Sequence, residues 1–252
     1  MSVRVGARVA PSTGVRKLRR PVATTAPAPS FDPLVDITWA AAYFAEDPDW
    51  VAPADGAAVA QWDDGSGNGR HVSQGTGSAQ PTYRASVAAL NGKPAVQWDG
   101  TSDVLSSATF TAVTQPWSWV IVANATGAAA VKRLVSNNGG SSWVRRDITT
   151  DDLTVNPGSS NVTAAGTLTG AHLLIGVGNG ASSAAILDGT STTGGSGTAT
   201  WTIVHLGASS AATEVWAGHI AFAGLYSGDI TGNAKYADLK TWVAAHYGFA
   251  VA

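Results

Sequence analysis

Short apolar runs that end in tryptophan and are followed at once by aspartate and glycine recur between residues 57 and 110. The run Ala57 to Trp62 is followed by DDGSGNG, and the run Ala95 to Trp98 by DGTSD. Glycine permits positive φ angles, and aspartate and asparagine side chains can bond neighbouring backbone amides, so such a sequence ends a strand. The repeated pattern predicts short β-strands joined by tight turns.

An Asn-Gly pair separates two of these apolar runs. Val87 to Leu90 and Ala95 to Trp98 flank the sequence NGKP of residues 91 to 94. Asn-Gly between alternating apolar runs favours a tight turn in which both residues take positive φ angles. A β-hairpin is therefore predicted here.

The rest of the chain reads as further strands with few helices. Trp117 to Asn124 is apolar on both faces that a strand presents, which is typical of the centre of a sheet. Ile37 to Glu46 is predicted to be a short helix with Asp36 as its N-cap and Pro48 beyond its end. Additional strands are predicted at Val131–Ser136, Ser142–Ile148, Leu153–Asn156, His172–Gly178, Ala184–Asp188 and Thr202–Gly207.

The period of the apolar residues changes near the C-terminus. Leu239, Val243 and Tyr247 recur on the helical face that begins with Tyr236, and Gly248 stands where a C-terminal cap belongs. This segment is predicted to be an amphipathic helix. The chain as a whole is therefore predicted to be all-β with peripheral helices.

The order of these motifs resembles the LamG-like branch of the concanavalin A-like lectin and glucanase superfamily. The resemblance rests on WDDGSGNG from Trp62, QPTY from Gln80, NGKPAVQWDGTSD from Asn91, and WAGHIAFAGLY from Trp216 with the helix that follows. It covers residues 36 to 248 and implies a concanavalin A-like jelly-roll sandwich with short peripheral helices. Because these motifs are mostly turn sequences, they indicate a fold rather than an activity.

The first 31 residues differ in charge from the remainder. They contain six basic residues and no acid, and because the whole chain carries −2, the remainder carries −8. Prolines and the Pro/Ala/Thr-rich sequence of residues 22 to 30 predict an extended, solvated segment. We therefore expect an extended basic N-terminal arm with its linker over residues 1–31 and a LamG-like sandwich with a C-terminal helix over residues 32–252. The basic residues expected to dock the arm on a partner are Arg4, Arg8, Arg16, Lys17, Arg19 and Arg20.

Other interpretations of the arm are a disordered tail, a mitochondrial transit peptide and a nucleic-acid-binding segment. No run in it is long or apolar enough for the core of a signal peptide or for a membrane span. The sequence RRD of residues 145 to 147, beside Trp143, is a small basic patch in an acidic domain that would repel phosphate. Neither nucleic acid nor a membrane is therefore an expected partner.

The sequence offers little for enzymatic chemistry. Glucanases of the superfamily that this chain resembles use paired glutamates on one strand, and a retaining mechanism needs two carboxyls about 5 to 5.5 Å apart. This chain has only Glu46 and Glu214, in separate contexts, and has no cysteine. Its five scattered histidines are not accompanied by a G-x-S-x-G motif. We predict that the protein has no catalytic residues and is not an enzyme.

Oxygen-bearing side chains gather in the two turns that follow Trp62 and Trp98. Calcium takes about six to eight oxygen ligands from such loops, and LamG-like relatives often bind it. If the two turns converge, they form a calcium site; the alternative is that the side chains only stabilise the turns. No cofactor is required in either case. The candidate ligands are Asp63, Asp64, Asn68, Asp99 and Asp103.

Ten tryptophans suggest a sugar-binding surface, because indole faces stack on the apolar faces of pyranose rings. The tryptophans that lie in apolar strands are predicted to be buried: Trp62, Trp98, Trp119 and Trp216. Those near loop-rich segments are the candidates for an exposed carbohydrate-binding platform: Trp50, Trp143 and Trp201.

A lectin-like domain that follows a basic N-terminus without an export signal suits a virion. Such a protein assembles in the host cytoplasm, leaves by lysis and can use an extended arm to dock on neighbouring subunits. We predict a bacteriophage virion structural protein, specifically a minor tail protein. Its expected partners are other virion proteins, further copies of itself and a host cell-surface glycan. The alternatives are a capsid decoration protein and a bacterial carbohydrate-binding or glycoside hydrolase module.

Overall fold

The computed structural model describes residues 31–127, 130–147 and 151–252, and the basic arm lies outside these ranges. From Phe31 onwards the described chain forms one compact unit. Its α-helices are α1 (Pro33–Asp36) and α2 (Tyr236–Tyr247), and short 3-10 helices cover Gly77–Ala79, Ala88–Leu90, Asn138–Gly140 and Ile230–Gly232. None of the described helices is long and apolar enough to cross a membrane.

Sixteen strands form within the described residues. In chain order they are β1 (Ala41–Phe44), β2 (Gln61–Trp62), β3 (Val72–Ser73), β4 (Thr82–Val87), β5 (Lys93–Asp99), β6 (Leu105–Ser107), β7 (Trp117–Ala125), β8 (Lys132–Ser136), β9 (Trp143–Arg146), β10 (Leu153–Asn156), β11 (Val162–Ala164), β12 (Gly170–Gly178), β13 (Ala184–Leu187), β14 (Thr190–Thr193), β15 (His205–Leu206) and β16 (Ala217–Tyr226).

The strands form two antiparallel sheets. Sheet A has the order β14-β13-β12-β7-β16-β5-β4, with β1 paired to β16 beyond the end of β5, and sheet B has the order β11-β10-β9-β8-β15-β6-β3-β2. Side chains from both sheets meet in a first core that contains Trp62, Trp98 and Trp119. The predicted all-β sandwich with peripheral helices is confirmed.

The central strands of sheet A are buried on both faces. All nine residues of β7 are buried: Trp119 and Ile121 point into the first core, while Val120 and Val122 point into a second one. The second core is completed by Leu239 and other residues of α2 and by the segment before β1. The prediction that Trp117 to Asn124 is a central strand is confirmed, and both of its apolar faces have a partner.

The predicted helix over Ile37 to Glu46 is wrong. Asp32 caps the short helix α1, where its side chain accepts a bond from the Leu34 amide, and the chain then becomes extended and forms β1 against β16. Ala41 and Tyr43 point into the first core, and Ala42 and Phe44 into the second. Burial on two opposite sides requires the two-residue period of a strand, which outweighs the helical preference of three consecutive alanines.

Most of the other predicted elements are present. Asn91 and Gly92 take φ angles of 57° and 75° and join β4 to β5, although Ala88–Leu90 is a 3-10 turn and not part of a strand. Helix α2 ends at Gly248, whose φ is 75°. The predicted strands at Ala57–Trp62 and Thr202–Gly207 shorten to two residues each, β2 and β15.

Gly207 shows how closely a turn approaches the first core. It follows β15 with a φ of +77°, and a Cβ atom at this position would lie 1.9 Å from Nε1 of Trp98. Gly67 has nearly the same φ, +79°, but a Cβ there would meet no atom within 4 Å. A substitution at Gly67 therefore introduces backbone strain alone, whereas one at Gly207 adds crowding of the core.

We expect Gly207→Ala to lower the free energy of unfolding by roughly 2–5 kcal/mol, the sum of left-handed backbone strain and an overpacked core. The matched control Gly67→Ala should lose only the strain, about 1–2 kcal/mol. Urea denaturation followed by tryptophan fluorescence measures both. Equal losses in the two variants would mean that the contact of Gly207 with Trp98 does not constrain the core.

Candidate functional site

The three tryptophans proposed as an exposed platform are buried. Their exposed fractions are 6% for Trp50, 5% for Trp143 and 0% for Trp201. Trp50 packs on Trp62 with ring centroids 5.6 Å apart, and Trp201 packs on Trp119 at 5.1 Å. The predicted exposure is therefore wrong: Trp50 and Trp201 pack on core tryptophans, and Trp143 begins strand β9, where two arginine side chains lie over its ring. The predicted burial of Trp62, Trp98, Trp119 and Trp216 is confirmed.

The turn after Trp62 uses its polar side chains to hold the backbone. The buried carboxylate of Asp64 accepts bonds from the amides of Ala42, Ser66 and Arg70 at 2.8 to 3.0 Å. Asn68 donates to the carbonyl oxygens before β1 at 3.1 Å. Asp63 lies 3.1 Å from His71 on the surface. This turn therefore ties β1 to β2.

The turn after Trp98 is closed by two carboxylates. Asp99 accepts bonds from the amides of Thr101 and Ser102 at 2.7 and 2.9 Å, and Asp103 accepts one from the amide of Asp99 at 2.8 Å. Burial raises the pKa of Asp103 to about 6, with a smaller contribution from the Asp99 carboxylate and against the opposing effect of the Asp99 amide bond. Burial alone would raise the pKa of Asp99, but its amide donors lower it.

The five candidate calcium ligands act as structural acceptors and donors in their own turns. Among the described residues, no group of three or more histidine, cysteine, aspartate or glutamate side chains is placed to hold a metal ion. The carboxylate oxygens of Asp64 and Asp99 accept hydrogen bonds from backbone amides, as expected if these side chains stabilise the turns. Calcium binding remains a prediction. The six basic residues of the arm lie outside the described ranges.

One indole is only partly buried. All ten tryptophans lie in the described ranges; nine are buried, and Trp242, on helix α2, is not. His246, one turn further along the helix, stacks on Trp242 with ring centroids 4.6 Å apart and an interplanar angle of 19°. The His246 ring is bonded through Nε2 to Glu46, and the Glu46 carboxylate lies 3.5 Å from Nζ of Lys93. We call Glu46, Lys93, Trp242 and His246 the helix-edge cluster.

Three elements converge on the helix-edge cluster. Glu46 follows β1, Lys93 begins β5, and Trp242 and His246 lie on α2. The hairpin turn fixes the arrangement, because Asn91 donates from Nδ2 to the carbonyl oxygen of His246 at 3.1 Å. The side chains of Glu46, Lys93 and His246 are 20 to 31% exposed, so their polar atoms can be reached from solvent.

Sequence reasoning missed this cluster, although one signal was present. The predicted buried face of the C-terminal helix contains Leu239, Val243 and Tyr247 but not Trp242. A tryptophan beside a buried helical face, and not in it, has to keep part of its ring at the surface. Its polar neighbours could not be found in this way, since Glu46 and His246 are 200 residues apart.

A second group of side chains lies on the face of sheet B that points away from the first core. Arg133 and Arg145 are directly opposite each other on β8 and β9. Their guanidinium carbons lie 5.5 and 4.1 Å from the ring centroid of Trp143. Arg133 is ion-paired with Glu214, and Arg145 lies 3.3 Å from Asp147. We call these five residues the arginine–tryptophan face.

The sequence RRD does not form one basic patch. Arg145 points to the arginine–tryptophan face, whereas Arg146, which follows it in the strand, is only 2% exposed and pairs with Asp151. Strand alternation places consecutive arginines on opposite sides of the sheet.

Comparisons with solved structures reveal a shared fold at low sequence identity. A sialidase of Trypanosoma rangeli in complex with sialic acid matches 81% of this chain with a TM-score of 0.52 and 8% identity, and this chain covers 32% of the sialidase. A GH54 α-L-arabinofuranosidase matches 75% with a TM-score of 0.53 and 14% identity, and this chain covers 51% of it. No protein-family model matches the sequence, and no curated protein is significantly similar to it.

These comparisons overturn the prediction that the protein is not an enzyme. The two matched structures are both glycosidases, so the sandwich is a fold that glycosidases contain. The prediction relied on a missing pair of glutamates and on histidines without a G-x-S-x-G motif, and these are only two catalytic arrangements among several, since sialidases use a tyrosine nucleophile. The chain spans about a third of the sialidase and half of the arabinofuranosidase.

The raised pKa of Asp103 has a consequence for stability. The folded protein binds a proton at Asp103 more tightly than the unfolded chain, whose aspartate pKa is 3.8. The stability from this group is therefore complete below pH 3.8 and is lost as pH rises through about 6. Asp103→Asn retains an acceptor for the Asp99 amide without the ionisation.

We expect the stability of the wild type relative to Asp103→Asn to fall between pH 4 and pH 7, by at most about 3 kcal/mol. Urea unfolding of both proteins at several pH values measures this difference. It isolates Asp103, because every other titrating group is shared by the two proteins. Parallel stability profiles would show that the carboxyl titrates normally.

Proposed function

We propose that the sandwich binds carbohydrate at the helix-edge cluster. The observation that carries the proposal is the exposure of Trp242, the one tryptophan among the described residues that is not buried. The ring of His246 stacks on one face of this indole, so the two rings form one aromatic unit. An aromatic surface with a few converging polar groups is the usual composition of a small-molecule site.

The polar groups of the cluster complement sugar hydroxyls. A hydroxyl both donates and accepts, and the cluster offers carboxylate acceptors at Glu46 and an ammonium donor at Lys93. The two charges are 3.5 Å apart and compensate each other, so a neutral sugar can bind without burying a net charge. The site is therefore suited to a neutral glycan.

The fold comparisons support a carbohydrate-binding domain. The matched sialidase holds sialic acid, and the matched arabinofuranosidase was soaked with an arabinofuranoside. Because this chain covers only part of each, neither activity is transferred to it. What supports the proposal is that sandwiches of this kind occur in proteins that handle sugars.

We further propose that this domain belongs to a bacteriophage virion, as a minor tail protein that binds a host-surface glycan and docks on neighbouring subunits through its arm. The distribution of charge supports this. Eight of the seventeen acidic residues lie between positions 32 and 64, a stretch without lysine or arginine, directly after an arm that carries six positive charges. Opposite charges of this density favour contacts between the arm of one subunit and the body of another.

The carbohydrate proposal predicts a site-specific response. In the full-length protein, each of the ten indole N–H groups gives one NMR resonance. A soluble oligosaccharide selected on a glycan array should shift the resonance of Trp242, assigned through Trp242→Phe, and leave the buried indoles unchanged. Lys93→Gln should weaken binding about tenfold or more, because a bond to a charged group is lost.

Lys235→Gln is the matched control, since it removes an exposed lysine at the start of the same helix and should bind as the wild type does. The carbohydrate proposal fails if no glycan on the array is bound, or if bound glycans leave the Trp242 resonance in place.

The virion proposal predicts that removing residues 1–30 abolishes incorporation into particles while the sandwich remains folded and monomeric, with an unchanged β signature in circular dichroism. Exposed charge pairs contribute about 0–1 kcal/mol each and weaken with salt, so apolar contacts of the arm must add to them. Replacing only the six basic residues by glutamine should reduce incorporation without abolishing it. Wild-type occupancy of the truncated protein would refute a docking role for the arm.

A further inference from the structure

The arginine–tryptophan face contains more hydrogen-bond donors than its own acceptors satisfy. Nη1 of Arg133 and Nε of Arg145 are buried and find no acceptor among the described residues. Buried polar groups in native proteins nearly always have a partner. Both atoms are covered as the face stands, so an external acceptor can reach them only when the Glu214 side chain has moved.

The two arginines are also held in an unfavourable arrangement. Like charges directly opposite each other on neighbouring strands repel, and Arg133 and Arg145 are cross-strand partners. Stacking on Trp143 and the pairing with Glu214 and Asp147 offset the repulsion. The turn between β8 and β9 leaves room for the guanidinium of Arg133 because it contains glycine: a Cβ atom on Gly140 would lie 3.0 Å from Nη1 of Arg133.

Glu214 reaches Arg133 from a strained loop. Ala212 and Glu214 have φ angles of +52° and +55°, in a region that residues other than glycine rarely adopt. Such residues are strained and persist only where the surroundings hold them. The loop is closed by hydrogen bonds between Ser209 and Thr213, whose hydroxyl oxygens lie 2.7 Å apart. It ends at Glu214, whose carboxylate pairs with Arg133.

We propose that the arginine–tryptophan face binds an acidic sugar through its carboxylate or sulfate group, and that Glu214 is an internal occupant that the ligand displaces. The guanidinium fork of Arg133 pairs with an external oxyanion as it does with Glu214, and the oxyanion also accepts from the unpaired donors. Among the described residues of the face, displacement of the Glu214 side chain leaves two arginines and the carboxylate of Asp147, so a ligand with one negative charge restores the balance. The backbone of the loop stays in place, because the amide of Arg133 donates to the carbonyl oxygen of Glu214 at 2.7 Å.

This site is separate from the helix-edge cluster and does not depend on it. The helix-edge cluster is built on α2 and the start of β5, whereas the arginine–tryptophan face is built on β8, β9 and the loop before β16. The two sites also differ in ligand chemistry, since one has compensated charges and the other offers unpaired cationic donors. The indole resonance of Trp242 reports binding at the helix-edge cluster, and that of Trp143 reports binding at the arginine–tryptophan face.

The test is a titration of the full-length protein with a sulfated, uronate-containing disaccharide, followed through the indole resonance of Trp143, which Trp143→Phe identifies. A disaccharide is used because a longer polyanion would also bind the basic arm. Glu214→Gln should bind the disaccharide about tenfold more tightly than the wild type, since the internal competitor is gone. Arg133→Gln should bind it at least about tenfold more weakly, and Arg133→Lys should also lose affinity because the planar fork is lost.

Asp238→Asn is the matched control: it removes an exposed carboxylate on α2 that belongs to neither site and should leave the affinity for the disaccharide unchanged. Unshifted resonances of the other indoles verify that each variant is folded. The proposal is overturned if Glu214→Gln binds no more tightly than the wild type, or if maltose or a short oligothymidylate shifts the Trp143 resonance as strongly as the acidic disaccharide. If the Trp143 resonance does not respond to the acidic disaccharide, the response of the Trp242 resonance to a neutral glycan is unaffected. The two proposals are therefore tested separately.

Discussion

The burial of the central strands of sheet A on both faces is the constraint on which the rest of the structure depends. A strand such as β7, with apolar side chains on both sides, needs a layer above it and a layer below it. Sheet B supplies one layer, and the segments on either side of the strands, from α1 to β1 and in α2, supply the other. The segments at both ends of the described chain are therefore parts of the core and not appendages to it.

Carboxylates and glycines, not charge pairs, shape the turns that close this sandwich. Asp64 holds three amides and so joins the turn after β2 to β1, which lies 22 residues earlier. Asp103 does the same locally, and its burial is severe enough to raise its pKa to about 6. The carboxylate oxygens that suggest a metal site in the sequence thus accept hydrogen bonds that stabilise the turns.

Much of the fold could be predicted from the sequence, because the strand and turn signals are local. The sequence signals for the Asn91-Gly92 turn and for the double-sided strand β7 lie in neighbouring residues. The helix predicted at Ile37–Glu46 failed because the pairing of β1 with Phe222 to Leu225 is long-range. The helix-edge cluster and the arginine–tryptophan face could not be predicted for the same reason: Glu46 meets His246, and Arg133 meets Glu214, only after the chain has folded.

The contact between Phe31 and Trp242, with ring centroids 6.0 Å apart, has a mechanical meaning. Phe31 is where the basic arm joins the described chain, and Trp242 is the indole of the helix-edge cluster. Tension between an anchored arm and a glycan held at Trp242 would enter and leave the domain at neighbouring points on the same side. Under the proposed arm and glycan contacts, such a load would pass between Phe31 and Trp242 without crossing either sheet.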